Sequence, residues 1–199
     1  MNSERKEFSV RLFFLYLLAM SCLTASAASS LADLQEKAAL GDPAAQLELG
    51  GKYLYGEGVA KNPGMAVRWS QQAAEYADKN PSWYLKSVAF ATLGMAYENS
   101  GGVKNIQEAI KWYFKSAMLN DPRGMTALSR IYSNGEGVPK DVVVGLAWMY
   151  VAAGSGAPGT IDNSSIQLAT SDLENKAGAD GVVVARKKCN ELTAKIRPQ

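Results

Sequence analysis

The sequence predicts an all-α chain, a short α-solenoid of antiparallel helix pairs with a helical cap at each end, and three observations carry that prediction. A motif recurs three times between Ala44 and Ala153. The same helix-start signal, an Asp or Asn followed by proline, recurs at Asp42-Pro43, Asn62-Pro63, Asn80-Pro81 and Asp121-Pro122. No segment alternates apolar and polar residues as a half-buried strand would. At 199 residues, 47% hydrophobic and 20% charged, the chain has room for one domain with a real core, and disordered and collagenous readings are excluded.

Residues 1–27 read as an address. Arg5, Lys6 and Arg11 outweigh Glu4 and Glu7, the apolar run LFFLYLLAMSCL follows from Leu12 to Leu23, and Thr24-Ala25-Ser26-Ala27 supplies a small-residue end. The run falls short of the roughly 20 apolar residues that a membrane span needs. A secretory signal cleaved after Ala27 is expected, and with it a periplasmic or secreted mature chain. Lipoprotein processing at Cys22 stays open as an alternative, although Ala19-Met20-Ser21 lacks the usual leucine three residues before the cysteine. An uncleaved anchor is the third reading. Cleavage leaves Cys189 as the one cysteine of the mature chain, so packing must supply its stability. Ala185, Cys189, Leu192 and Ile196 share one helix face, which makes the thiol a packed small hydrophobe more readily than a reactive group.

Next comes LADLQEKAAL, Leu31 to Leu40, which ends at Gly41-Asp42-Pro43 and serves within residues 28–43 as an N-terminal capping helix. The three copies follow. Their aligned anchors are Leu49, Leu93 and Leu128; Tyr53, Tyr97 and Tyr132; Val59, Val103 and Val138; and Trp69, Trp112 and Trp148, each tryptophan followed five residues later by Ala74, Ala117 or Ala153. Each copy reads as two antiparallel helices. Ala45, Leu49 and Tyr53 lie four residues apart on one face. Gly56 and Gly58 then end that helix, as Gly135 and Gly137 do in the third copy, while Trp69 and Ala73 continue the inner face of the second helix. Small residues directly after the aligned leucines, Gly50, Gly94 and Ser129, mark close helix approach. The valine-to-tryptophan step is 10, 9 and 10, so the middle copy lacks one residue in its inter-helix turn, where Asn99-Ser100-Gly101-Gly102 replaces two spaced glycines.

The junction from Ala74 to Leu93 is eight residues longer than that from Ala117 to Leu128, room for about two more helical turns in total. Asn80-Pro81 is expected to start the lengthened helix, with Trp83 and Tyr84 in its first turn as candidate partner-binding aromatics. GSGAPG, Gly154 to Gly159, interrupts the array. Two further helices, Ile161 to Lys176 and Val182 to Ile196, are expected to form a C-terminal cap within residues 155–199, with Lys187, Lys188, Lys195 and Arg197 toward its end.

Composition removes several function classes. With no histidine, the Ser-His-Asp and Cys-His constellations and HExxH zinc sites are excluded. A formal charge of +2, spread over 21 basic and 19 acidic residues, offers no field for nucleic acid. The G-E-G turns lack the Lys-Ser/Thr pair of a phosphate loop. Their carboxylates, Glu57 and Glu136, are the only enzyme candidates the repeats suggest, and each also reads as a solvated turn residue. No catalytic residue, cofactor site or metal site is expected.

The pattern A-x-x-x-L-G-x-x-Y-x-x-G-x-G-V followed by W-x-x-x-A-A resembles the Sel1-like repeat family, relatives of tetratricopeptide repeats, over repeats of about 44–80, 81–121 and 122–154. The resemblance implies a right-handed superhelix, protein or peptide partners and no conserved catalytic group. A protein-interaction scaffold in the bacterial envelope is the expected function. Alternatives are a periplasmic immunity protein that sequesters a toxic effector such as a phospholipase and, further off, an envelope-acting hydrolase.

Overall fold

The computed structural model describes residues 31–80, 82–155 and 163–196, so the expected signal over residues 1–27, with Cys22, lies outside the described residues. Among those residues there is no strand. The helices are α1 (31–39), α2 (Pro43–Tyr55), α3 (Pro63–Asp78), α4 (Trp83–Asn99), α5 (Val103–Ala117), α6 (Pro122–Asn134), α7 (Val142–Gly154) and α8 (Asn163–Thr193). Each of α2 to α7 packs on the next, and the first helices of successive pairs also touch, α2 on α4 and α4 on α6. That second set of contacts builds one continuous face from α2, α4 and α6. None of the described helices is long and apolar enough to cross a membrane.

Sequence chemistry fixes most helix ends. Asp42, Asn62, Asp121 and Asp141 each accept a hydrogen bond from a first-turn backbone N–H, at 2.9 to 3.1 Å. Gly56 and Gly135 close α2 and α6 in the left-handed conformation, φ +80° and +77°. The intervening turn then folds back, so that the N–H of the next cap donates to the repeat tyrosine's carbonyl, Asn62 to Tyr53 and Asp141 to Tyr132.

The middle pair departs from this plan. Three residues, 100–102, join α4 to α5, and Val103 opens the helix instead of lying in the turn like Val59 and Val138. The shortened copy has lost its returning turn, and α5 extends by about one turn at its start. The expected start of α4 is also displaced. Ser82 caps the helix, accepting from Leu85 N–H, while the Asn80 side chain donates back to the Tyr76 carbonyl and closes α3. The two C-terminal helices are joined through Gly178, whose φ of +70° and ψ of 173° bend α8 inside a single helical run.

Leu49, Leu93 and Leu128 are fully buried, as their spacing predicts. Close approach explains the small residues beside two of them. A Cβ on Gly50 would stand 2.5 Å from the Ser70 hydroxyl, and one on Gly94 would stand 2.7 Å from the Tyr113 ring. The tryptophans are not equivalent. Trp148 is buried in the main core, with Phe114 edge-on at 5.9 Å, whereas Trp69 and Trp112 are half-buried. In the middle pair the fully enclosed ring is Tyr113, one residue on. Of the three aligned alanines, Ala74 and Ala117 are buried but Ala153 is exposed at the end of α7. Ala185 is buried, and Cys189, Leu192 and Ile196 pack partly buried against the core from the C-terminal cap.

Candidate partner-binding groove

The α2–α4–α6 face carries the features that could meet a partner. Between α4 and α6 runs a groove of about 430 Å³ lined by Met95, Glu98, Tyr113, Arg123, Thr126 and Arg130, among others. Its position follows from the repeat. Gly51, Met95 and Arg130 each stand two residues after the aligned leucine, on the side of the first helix that faces away from its pair partner. Tyr55 closes the α2 side, donating from its hydroxyl to the Met95 sulfur at 3.6 Å.

A polar network forms the wall. Tyr113 donates to Glu98 at 2.6 Å, Glu98 accepts Arg130, and Arg130 also reaches Glu136, which accepts from Asn134 at 2.8 Å. The chain of contacts ties α4, α5, α6 and the turn after α6. Burial pushes the Tyr113 phenol well above its ordinary value, and the bond to Glu98 adds to that. For Glu136 burial acts upward, yet the hydrogen bonds from Asn134 and Arg130 hold the carboxyl below the usual range. Two helical turns before Arg130, Arg123 grips Asp121 with two side-chain donors, at 3.0 and 2.6 Å.

The sequence-predicted aromatics divide. Tyr84 is 64% exposed in the first turn of α4 and lies within electrostatic reach of Arg123, which places it at one end of the groove. Trp83 opens the same helix, and its side chain lies outside the described residues. Glu57 is exposed, and Glu136 is engaged by Arg130 and Asn134 in a separate turn. Of the predicted repeat positions, Leu49, Leu93, Leu128 and Trp148 are buried, and Gly56 and Gly135 close their helices in the left-handed conformation. Tyr55, Met95, Glu98, Arg123 and Arg130 are the residues that sequence reading missed. One signal was available: Arg123 and Arg130 are seven apart on one helix, hence on one face.

Comparison with known proteins agrees with this architecture. The Sel1 repeat model matches residues 43–75, 91–121 and 122–156. The chain is 33% identical to a Sel1 repeat protein from Oxalobacter formigenes, over 72% of this chain and 98% of that one, with a TM-score of 0.48. It is 22% identical to a protective antigen present in uropathogenic Escherichia coli strains that displays an SLR fold, over 83% of this chain and 41% of that one, with a TM-score of 0.52. The second likeness concerns the fold alone. No curated protein matches. Sel1 repeats generally serve as non-catalytic scaffolds for protein–protein interaction. By its three matched repeats and its fold, the chain belongs to the Sel1 repeat family.

Proposed function

We propose that this protein is an exported interaction scaffold of the bacterial envelope, which holds a segment of another protein on its α2–α4–α6 face and carries no chemistry of its own. One observation carries the reading: that face presents Tyr55, Tyr84, Met95, Arg123 and Arg130 around one groove. Tyrosine, methionine and arginine are the residue types enriched at protein interfaces, and Tyr and Arg dominate their binding energy. Tyr55 and Tyr84 are 61% and 64% exposed, a large aromatic area for a monomer to leave in water. Export rests on the residue 1–27 pattern.

The test is a crosslinking pull-down from the host's envelope fraction, run with the wild type and with Tyr55→Ala/Tyr84→Ala. One dominant protein retained by the wild type and lost by the double variant is the expected result. Equal retention by both moves the binding site elsewhere. An effector toxin as the retained protein would select the immunity role over the adaptor role.

A further inference from the structure

We infer that the groove recognises an extended, uncharged stretch of polypeptide through its backbone carbonyls, a conclusion that rests on the scaffold reading and specifies its ligand. The argument is an inventory of donors and charges. Asp121, Glu98 and Glu136 set three negative charges against the two positive charges of Arg123 and Arg130, so the cluster carries no excess positive charge to attract an anion. Its carboxylates are committed to neighbours, since all six oxygens already accept hydrogen bonds. Asp121 binds Arg123 through both oxygens, Glu98 binds Arg130 and Tyr113, and Glu136 binds Arg130 and Asn134.

The donors are a different matter. A guanidinium has five N–H groups. Arg123 uses Nε and Nη2 on Asp121, and Arg130 uses Nη1 and Nη2 on its two glutamates, which leaves three N–H groups on each without a bond among the described residues. The groove is thus rich in donors and carries one net negative charge, which opposes an anionic acceptor. Its complement is a neutral acceptor, and the abundant neutral acceptor of a protein partner is the peptide carbonyl.

Spacing adds a second match. Seven residues along α6 separate the two arginines by about 10.5 Å of helix rise. Three residues of extended chain advance about 10 Å. Carbonyls three residues apart on a strand-like segment therefore reach both guanidinium groups, while Met95 and Tyr55 offer apolar surface to an intervening side chain. An acidic peptide would meet a cluster in which Asp121, Glu98 and Glu136 outnumber the arginines, so like-charge repulsion opposes it.

The experiment is selection of displayed random dodecapeptides on the full chain, followed by fluorescence anisotropy with enriched peptides and with Arg123→Lys, Arg130→Lys and Tyr55→Ala. Arg→Lys keeps the charge and removes the planar fork. The expected result is enriched sequences of net charge near zero whose Kd changes less than about threefold between 50 and 500 mM NaCl. Each lysine variant weakens binding by about three- to tenfold, and amide-to-ester replacement at two positions three residues apart does the same. Enrichment of acidic peptides whose Kd weakens more than about tenfold over that salt range overturns the carbonyl inference and leaves the scaffold reading standing. Peptides indifferent to all three substitutions, or no enrichment at all, overturn both.

Discussion

Exchanging the middle pair's two neighbouring aromatics for alanine separates the structure from the simplest reading of the repeat. The aligned tryptophan, Trp112, has the motif's signature, but Tyr113 has the burial, 2% exposed within the main core beside Met125, Leu128 and Trp148. Tyr113→Ala empties a fully enclosed site and strips Glu98 of one donor. Large aromatic truncations in cores cost about 3–5 kcal/mol. Trp112 rests against Phe90 at 5.5 Å with the Lys115 ammonium 4.1 Å above its ring, and it is half-buried. Its loss forfeits part of that area and an exposed cation–π contact, for a total of about 1–2 kcal/mol. At about 2–4 °C per kcal/mol for a domain of this size, Tyr113→Ala lowers Tm by about 6–20 °C and Trp112→Ala by about 2–8 °C. Urea unfolding followed by far-UV circular dichroism gives the same ordering through the midpoint at constant slope. A Trp112→Ala cost equal to or above that of Tyr113→Ala, or a Tyr113→Ala cost below about 1 kcal/mol, refutes the assignment of which ring is inside.

Four further outcomes are expected. Gly94→Ala drives a methyl into the Tyr113 ring and costs about 1–3 kcal/mol in urea unfolding, whereas Gly51→Ala, with nothing within 4 Å, gains about 0.5–1 kcal/mol from helix propensity alone. Gly178→Ala forces a side chain into φ +70°, ψ 173°, and costs about 1–3 kcal/mol of stability on thermal unfolding. Because the Tyr113 phenol is raised in the folded state, its contribution is complete below the unfolded value near 10 and fades as pH climbs above it; Tyr113→Phe therefore flattens the alkaline limb of a pH–stability profile. Glu136, held low, contributes above the ordinary carboxylate range and loses that contribution as pH falls through its depressed folded value, so Glu136→Gln flattens the acid limb of the same profile.

Much of this molecule was legible in its sequence, and the reason is that local chemistry decides local structure. The Asp and Asn caps at 42, 62 and 121, the prolines after them and the left-handed glycines at 56 and 135 act within a few residues of themselves, and each stands where its chemistry requires. The leucine register held for the same reason, since a 3.6-residue period puts Leu49, Leu93 and Leu128 on one buried face whatever lies opposite. Where two local signals compete, pattern alone fails. Asn80 precedes proline, the usual start of a helix, yet Ser82 caps α4 because Asn80 is engaged by the end of α3.

The sequence by itself determined the helices, their order and their repeat, because each depends on neighbours along the chain. Tertiary structure alone decided which ring of the middle pair is enclosed and what the exposed face offers. Tyr113, Glu98, Arg130 and Glu136 come from three helices and a turn, and the Arg130 charge is offset only once they meet. Whether an arginine is an open cation or a charge-balanced donor is a property of its partners, and those are chosen by the fold.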